Sequence, residues 1–339
     1  MPNNIYKSAV VGLGVGEQHA ITLQAQNNVE LSYLLDIDQD KTQDVLTRLG
    51  QKNCVIAESY DEIIDSNVDI ISIASFDQCH ANEVIQGLNV RKHIFVEKPL
   101  CQTYEELKCI KDSYRRNSNS VIMSNLVLRA APLYVWLKQA IEQDVFGELY
   151  LIEGEYLYGR LHKIASGWRS ETPNYSVMAG GGIHLADLVL TLLGKKPHVV
   201  HTVGNKIVTS GMGFSYPDYL SATFNYDNGL IAKISANFGC VHRHHHVLRI
   251  YGTKATFIYD DAGARIHYTR DESIEASRVR YSPFPLNGKG SLIPSFIDLI
   301  SQGSEQKNQQ AQHEFDLMSM ILTSDKAFKS GNKEEVIYV

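Results

Sequence analysis

The sequence predicts an α/β protein with two domains: an N-terminal domain on a parallel sheet and a C-terminal α+β domain with an open, mainly antiparallel sheet. Three observations predict this. Strand-like and helix-like segments alternate through the first third of the chain, and a glycine-rich turn follows the first strand candidate. After about residue 125 the pattern changes to closely spaced strand candidates joined by turns. We therefore expect domains at 1–124 and 125–339.

In the first domain, short apolar runs of strand length are separated by stretches of helix length. This alternation predicts right-handed βαβ units in a parallel sheet. The predicted strands are Tyr6–Val11, Val29–Leu35, Val68–Ala74, His93–Val96 and Val121–Ser124. The predicted helices are Glu17–Gln26, Lys41–Leu49, Ala81–Leu88 and Tyr104–Arg115.

The second domain begins with a predicted helix and continues mainly as strands. The sequence DNG at 227–229, between two of them, is a strong hairpin turn signal. Closely spaced strands joined by turns indicate an antiparallel sheet. The predicted elements are a helix at Pro132–Gln143, strands at Glu148–Tyr158, Val199–Gly204, Leu220–Tyr226, Leu230–Phe238, His245–Tyr251 and Ala255–Tyr259, a loop at Gln302–Gln312, a helix near Ala311–Lys329 and a strand at Glu335–Val339.

The composition is that of a globular protein, with 339 residues of which 44% are apolar and 21% charged. No stretch approaches the roughly 18 apolar residues of a membrane span, and the N-terminus has no secretory signal pattern. The net charge of −6, with both signs interspersed, argues against nucleic-acid binding. The five cysteines are scattered and form no CxxC pair, which is typical of reduced thiols. We therefore expect a cytoplasmic protein with neither nucleic-acid nor membrane partners.

The glycine-rich turn reads GLGVG and lies where the first predicted strand gives way to a helix. Glycines there allow a tight turn and close approach of the backbone to a pyrophosphate, and the helix N-terminus adds free N–H groups and a favourable dipole. The pattern is one residue shorter than the usual GxGxxG, so a plain strand–helix turn is the alternative. The predicted dinucleotide contacts here are Gly12, Gly14, Val15 and Gly16.

Asp36 ends the second predicted strand, at about the spacing expected for a carboxylate that binds the adenosine ribose. A carboxylate there accepts hydrogen bonds from the ribose hydroxyls and would repel a 2′-phosphate. No arginine immediately follows Asp36. We therefore predict NAD(H) rather than NADP(H) as the cofactor.

Residues 94–99 (IFVEKP) join an apolar strand candidate to a Glu-Lys pair and a proline that ends ladder pairing. Ligands of open parallel sheets bind outside the carboxyl ends of the strands. Lys98 can therefore supply protons and positive charge to a bound molecule. A solvated turn that carries an ion pair is the alternative interpretation.

With these motifs, the chain resembles the glucose–fructose oxidoreductase/inositol dehydrogenase (Gfo/Idh/MocA) family over nearly its whole length. Further matching segments are RAAP at 129–132 and GGGIHLAD at 180–187. The resemblance implies an NAD-binding Rossmann domain, a second domain with an open sheet, and homodimers or homotetramers assembled through that sheet. It also implies reversible hydride transfer at a carbinol carbon of a sugar, a nucleotide sugar or a cyclic polyol.

The resemblance also implies roles for individual residues. Lys98 and His184 match the family's active-site lysine and histidine, and both would contact the substrate. Lys98 would also contact the cofactor. Glu97 is implied to orient Lys98 or to contact the nicotinamide side of the cofactor. Ser75 and His80 lie in the loop that in the family usually follows the cofactor. We expect both residues to contact the cofactor.

The chain departs from the family pattern at two places. The loop that commonly reads Thr-Pro-Asn is Ser-Phe-Asp at 75–77, and Gly180 stands where many members carry an aspartate four residues before the histidine. The usual Asp–His pair is therefore incomplete. This leaves the identity of the general base open between His184 and Lys98.

Oxidation of a carbinol needs a proton acceptor on the hydroxyl group. We favour His184, because imidazole titrates near neutrality, with Lys98 bonded to the same oxygen and stabilising developing charge. Asp187 follows His184 by about one helical turn, so we expect it to contact the substrate or orient the imidazole, and a capped carboxylate is the alternative. Arg129 is a further predicted substrate contact. The glycines at 180–182 favour close approach of a ligand or cofactor over a core histidine at a helix start.

The histidines at 242, 244, 245 and 246 raise the question of a metal. Alternation along a strand would place His242, His244 and His246 on one face, and three histidines can form a zinc site. The family that the chain resembles needs no metal, so we predict no metal site.

A basic and aromatic segment lies between the second domain's first strand and the glycine run. It contains Arg160, His162 and Lys163, together with Trp168 and Arg169, the two that we predict to bind substrate. Such a segment can hold a phosphate or nucleotide on the substrate. An ordinary surface loop is the equal alternative.

These observations predict an NAD-dependent oxidoreductase that transfers hydride to or from a carbinol carbon of a sugar. The basic segment favours a nucleotide- or phospho-sugar. The alternatives are an inositol-type cyclic polyol dehydrogenase, an NAD-dependent glycosidase and a dinucleotide-binding sensor without turnover.

Overall fold

The computed structural model describes residues 5–51 and 53–339, which form two compact units. The first unit contains the chain up to residue 127 together with 286–318 and 339. The second contains 128–285 and 319–338. This division differs from the boundaries expected from the sequence, because a segment near the C-terminus returns to the first unit.

The first unit is built on a parallel sheet, as the alternating pattern predicts. Its strands are β1 (Tyr6–Val11), β2 (Val29–Leu35), β3 (Val55–Ile56), β4 (Ile70–Ile73), β5 (His93–Val96) and β6 (Ile122–Ser124). Its helices up to residue 127 are α1 (Gly16–Gln24), α2 (Gln39–Leu49), α3 (Tyr60–Asp65), α4 (Asp77–Asn89) and α5 (Tyr104–Arg116). The strand order β3-β2-β1-β4-β5-β6 reverses between β1 and β4, where such sheets bind ligands. β3 and α3 were not predicted, since elements of two and six residues carry no periodic pattern.

The second unit is built on a mainly antiparallel sheet. Its helices begin with α6 (Pro132–Glu142), α7 (His162–Ala165), α8 (Trp168–Glu171) and α9 (Ile183–Leu193). Its strands are β7 (Leu149–Leu157), β8 (Val199–Asn205), β9 (Tyr219–Asn225), β10 (Ile231–Asn237), β11 (His245–Gly252), β12 (Thr256–Asp260), β13 (Gly263–His267), β14 (Ser277–Arg278) and β15 (Glu334–Glu335). The order is β14-β13-β12-β11-β7-β10-β9-β8-β15, and only the β7–β10 pair is parallel in the described sheet. The predicted fold class is thus confirmed, and assembly of copies through this sheet stays a prediction.

The predicted hairpin turn at 227–229 connects β9 to β10. These strands pair antiparallel, with Ile231 opposite Asn225. Gly229 has a φ of +84°, the left-handed conformation that glycine adopts readily. The hairpin predicted from the turn residues is therefore confirmed.

The C-terminal elements differ from the prediction. α10 (Ile293–Ile300) is followed by α11 (Ser304–Ser330), which begins inside the segment predicted to be a loop. That prediction was wrong because glutamine and glutamate favour helices despite their polarity. The predicted strand at 335–339 is also wrong in extent, since only β15 pairs with β8 and Tyr338 is held by a 2.6 Å bond from Oη to the carbonyl oxygen of Pro197. Although α11 is 27 residues long, no helix in the described residues is both long and apolar enough to cross a membrane.

Residues 286–318 join the first unit through aromatic packing. The Phe296 ring of α10 lies 5.4 Å from the ring of Phe95 in β5. The Phe315 ring of α11 lies 5.9 Å from that of Tyr114, whose hydroxyl donates to Asn308 at 3.0 Å. These contacts join residues about 200 positions apart, so chain order alone did not reveal them.

Candidate active site

The glycine-rich turn connects β1 to α1 and fits a dinucleotide. Gly12 has a φ of +80°, and a Cβ there would clash with the carbonyl oxygen of Ala74. A Cβ at Gly14 would meet no atom within 4 Å, so the turn is open at that point. α1 starts at Gly16 and has no side-chain cap at Val15, which leaves N–H groups able to bind an anion. The turn therefore has the space and donors for the pyrophosphate of NAD.

Asp36 lies beside this turn at the end of β2. Its carboxylate accepts hydrogen bonds from the backbone N–H of Leu13 at 2.6 Å and of Asp38 at 3.1 Å, and from Nζ of Lys41 at 2.9 Å. Burial opposes ionisation, but these donors outweigh it and lower the pKa of Asp36. An ionised carboxylate in this place suits the ribose hydroxyls. Lys41 was not predicted, since nothing in the sequence shows that its side chain turns back onto Asp36.

A buried polar network surrounds Glu97, the residue before Lys98. Its side chain is 10% exposed, and Oε1 accepts a hydrogen bond from Nδ2 of Asn125 at 2.7 Å and lies 3.4 Å from Nε2 of His19. Burial opposes ionisation, yet the hydrogen bond with His19 and the charges of nearby lysines lower the pKa of Glu97 to about 2. Glu97 is therefore an ionised carboxylate at the carboxyl end of β5.

The network joins distant parts of the first unit. Asn125, directly after β6, also donates from Nδ2 to the carbonyl oxygen of Lys289 at 2.8 Å. His19 in α1 bonds through Nδ1 to the hydroxyl of Ser72 in β4 at 2.9 Å. Both His19 and Asn125 are completely buried, and sequence reasoning missed them. A polar residue directly after β6 is a signal that could have identified Asn125, whereas His19 carries none, because packing decides which way a helix residue points.

His80 fixes the bend that carries Lys98. Its Nδ1 lies 2.7 Å from the carbonyl oxygen of Pro99, and its Nε2 lies 3.1 Å from that of Ser75. The ring is completely buried, and the Ser75 hydroxyl donates to Glu83 at 2.5 Å. Ser75 and His80, which we predicted to contact the cofactor, thus form hydrogen bonds within the unit. Through His80 they connect the loop after β4 to the bend that contains the half-buried Lys98.

His184 lies at the start of α9 with 6% of its surface exposed. Its ring is close to parallel with that of Tyr156, at a centroid distance of 5.9 Å, and the His246 ring meets it edge-on at 6.1 Å. His246 and His244 each meet the Tyr156 ring at 5.2 Å. Three imidazoles therefore surround one tyrosine ring, and packing of α9 against β7 and β11 holds them there.

The glycine run makes room for the protein's own side chains. Residues 178–182 form a π-helical turn that leads into α9. A Cβ at Gly180 would overlap the hydroxyl of Tyr175 and lie 2.9 Å from its Cζ, and a Cβ at Gly181 would overlap the Tyr156 ring. Internal packing thus accounts for the run, where the sequence analysis expected a ligand or cofactor.

Arg129 and Asp187, two predicted substrate contacts, bind each other. Nε of Arg129 lies 2.9 and 2.8 Å from the two carboxylate oxygens, and its Nη2 lies 2.6 Å from Oδ1. Asp187 is completely buried, while the Arg129 side chain is 13% exposed. Both oxygens of this carboxylate are therefore bound by a partner within the unit. Asp187 therefore anchors α9, one helical turn after His184, to the segment before α6.

Two further clusters were considered in the sequence. Of the histidines, His242 precedes β11 and is bonded to Asp261 at 2.7 Å, which raises its pKa, so it does not share a strand with His246. No group of His, Cys, Asp and Glu in the described part of the chain is arranged to hold a metal. Trp168 and Arg169 are half-buried on α8, with the guanidinium 4.3 Å from the indole ring.

Comparison with known proteins identifies the chain. Residues 6–125 match an oxidoreductase family with an NAD-binding Rossmann fold, and residues 134–258 match the Gfo/Idh/MocA C-terminal domain. The chain belongs to the Gfo/Idh/MocA family. The resemblance in the motifs is thus confirmed, and this Gfo/Idh/MocA protein is an NAD-binding oxidoreductase.

Three relatives illustrate its place in the family. It is 26% identical to an uncharacterized oxidoreductase of Streptococcus pneumoniae, over 81% of this chain and 78% of the relative. It is 25% identical to 2,7-anhydro-N-acetylneuraminate hydratase of Escherichia coli, over 74% and 66%. It is 29% identical to glucose-6-phosphate 3-dehydrogenase of Bacillus subtilis, over 54% and 52%. The solved structure of levoglucosan dehydrogenase with NADH has the same fold, with a TM-score of 0.83 at 18% identity over 99% of this chain and 100% of that one.

Replacing Asp36 with serine should weaken NAD binding and favour NADP. The substitution removes the ribose acceptor and leaves the Lys41 ammonium able to meet a 2′-phosphate. We expect the Kd for NAD to rise about ten-fold or more, and the ratio of the NADP to the NAD Kd to fall, in a fluorescence titration. Asp40→Ser, at an exposed acid in the first turn of the helix that follows, α2, is the matched control and should change neither value. An unchanged Kd for NAD would contradict ribose recognition by Asp36.

Glu97→Gln should change how stability depends on pH. Because the folded pKa of Glu97 is depressed, its contribution is present above the unfolded value of 4.5 and is lost as pH falls toward 2. The variant should be less stable at pH 7 by an amount of the order of 3 kcal/mol, and the difference should shrink as pH falls from about 5 to about 3. Denaturant unfolding across this range measures it, with the exposed Glu105→Gln as control. A difference that stays constant with pH would show that Glu97 is not the titrating group.

Gly180→Ala should destabilise the protein by about 1–3 kcal/mol, because the new methyl group overlaps the Tyr175 hydroxyl. Combining it with Tyr175→Phe removes that oxygen. We therefore expect the double variant to lose less free energy of unfolding than the two single variants together, in a double-mutant cycle. Strict additivity would mean that the hydroxyl does not fill the space at position 180.

Proposed function

We propose that this chain is an NAD-dependent oxidoreductase that transfers hydride to or from a carbinol carbon of a sugar. The observation that carries the proposal is the position of Lys98, half-buried in the bend after β5 of an NAD-binding sheet. Its neighbour Glu97 is ionised and hydrogen-bonded to Asn125, so the backbone that leads to Lys98 is held firmly. An ammonium group in such a place can stabilise negative charge on a reacting oxygen.

The proposed chemistry assigns one task to each residue. NAD supplies the hydride acceptor for oxidation and, as NADH, the donor for reduction. His184 accepts the hydroxyl proton during oxidation, and because its Nδ1 is buried, Nε2 is the atom that does so. Lys98 donates a hydrogen bond to the same oxygen and stabilises the charge that develops as the proton leaves. Reduction of a ketone uses the same contacts in reverse.

We propose a phosphorylated or nucleotide-linked sugar as the substrate class. Two relatives are named for sugars that carry negative charge, glucose 6-phosphate and 2,7-anhydro-N-acetylneuraminate. The basic segment with Arg160 and Arg169 supports the same class, because arginine binds phosphate and carboxylate groups in a bidentate manner.

A redox-neutral reaction is a second candidate, since the relative from Escherichia coli is named as a hydratase. In such a reaction the hydride removed from the sugar returns to it before the product leaves. An NAD-dependent glycosidase is of the same kind. Product formation without net NADH would distinguish this class from a dehydrogenase.

A substrate panel tests the proposal. It contains free sugars, cyclic polyols such as myo-inositol, sugar phosphates and nucleotide sugars, assayed for NAD reduction and, with the matching ketones, for NADH oxidation. Product analysis alongside detects a redox-neutral reaction. We expect activity with an anionic sugar, whereas activity confined to inositols would select the polyol alternative. No turnover of any kind would leave the dinucleotide-binding sensor as the better description.

Lys98→Met and His184→Gln should each lower kcat by about 10²–10⁴-fold on the substrate so found, while NAD still binds. Lys92→Met is the matched control, because Lys92 precedes the same strand at its other end and binds the carbonyl oxygen of Ser66. The pH profile of kcat/KM should lose the limb that belongs to the general base in His184→Gln. If His184→Gln keeps that limb of the pH profile and Lys98→Met loses it, Lys98 is the general base.

A further inference from the structure

The end of β7 and the residue after it carry a buried stack of rings that continues from His184. The rings of Tyr156 and Tyr158 lie 5.9 Å apart and 16° from parallel, and the Tyr156 ring is similarly oriented to that of His184. The Phe238 ring lies 4.5 Å from that of Tyr158 and supports the stack from β10. These rings are themselves buried, so the stack gives the side chains beside it a fixed position.

Two guanidinium groups lie at this stack. Arg160 is exposed, with its guanidinium 5.7 Å from the Tyr158 ring, and Arg169 is half-buried against Trp168. Burial raises the pKa of Tyr156, while the positive charges of Arg169 and Arg160 act in the opposite direction. Both arginines are therefore within electrostatic range of the ring that packs on His184.

Arg160 differs in its partners from three arginines in or next to β11 and β13. Arg243 is paired with Asp261, Arg249 with Glu155 and Arg265 with Asp260. No ion pair joins Arg160 to a carboxylate of the described chain. An exposed guanidinium without a carboxylate partner, beside a tyrosine ring, attracts an external anion.

We infer that Arg160 and Arg169 bind an anionic group carried by the sugar, a carboxylate or a phosphate monoester, at the Tyr156–Tyr158 stack. This inference rests on the proposed function and specifies where its substrate is held. The arginines provide planar donor forks for the anion, and the buried rings beneath them fix the position of the segment that carries Arg160.

Equilibrium binding to the NAD-loaded protein at low ionic strength tests the inference without any need for turnover. Inorganic phosphate and acetate are the first probes, followed by glucose 6-phosphate, glucuronate and glucose, which differ in the charged group. Trp168, one of two tryptophans in the chain, reports binding through its fluorescence. We expect saturable binding of an anion, and stronger binding of an anionic sugar than of glucose.

Arg160→Gln and Arg169→Gln should each weaken binding of the anionic probes about ten- to a hundred-fold, with glucose and NAD affinities unchanged. Arg249→Gln is the matched control, because Arg249 lies in the same sheet but is paired with Glu155, and it should leave all affinities as they are. Preference for glucose 6-phosphate identifies a phosphate subsite, and preference for glucuronate identifies a carboxylate subsite.

Two results would overturn the inference: no saturable binding of any anionic probe, or equal weakening in the Arg249 control. Failure of the proposed function is separable from both. If the arginines bind anions but no compound in the substrate panel is turned over, the subsite stands and the dehydrogenase assignment falls. If turnover occurs with a neutral substrate and the arginine variants are unaffected, the reverse holds.

Discussion

A buried, ionised carboxylate at the end of β5 is the constraint on which the cofactor side of this structure depends. An isolated charge in a protein interior costs several kcal/mol unless donors surround it. Glu97 receives an amide N–H from Asn125 and lies beside the His19 imidazole, so α1, β6 and the returning C-terminal segment must all approach it. The same network therefore positions the helix that follows the glycine turn and the bend that carries Lys98. The hydrogen bonds that stabilise the charge of Glu97 thus connect the proposed cofactor site with the proposed reaction centre.

In the second unit, ring packing adds to the buried Arg129–Asp187 ion pair in holding the helix of His184. His184 is positioned by ring packing with Tyr156 and His246, and the adjoining glycines exist because aromatic side chains occupy the space around them. Gly180 stands where the resemblance implied an aspartate, and the Tyr175 hydroxyl lies in the volume that a side chain at 180 would enter. The departure from the family pattern is thus a change of packing around the histidine. It does not by itself imply a loss of function.

The proposed function assigns different tasks to the two units. The first has the features proposed for NAD and the reaction: a glycine turn, a carboxylate at the end of β2 and a lysine at the carboxyl end of a strand. The second has the arginines proposed to distinguish one sugar from another. Relatives about a quarter identical are named for different sugars, which agrees with a constant cofactor site and a variable substrate site.

The sequence by itself determined the features that depend on residues close together in the chain. Alternating periods of two and about 3.6 residues predicted the parallel sheet, the DNG turn predicted the β9–β10 hairpin, and the motifs around Gly12, Asp36 and Lys98 predicted NAD and the family. Only the tertiary structure decided which polar groups bind each other. Asn125 meets the carbonyl of Lys289, 164 positions away, and Arg129 meets Asp187, 58 positions away. Such pairings follow from packing between distant segments, which no local pattern encodes. They give Asp187 and His80, both predicted as ligand contacts, internal partners that the sequence did not show.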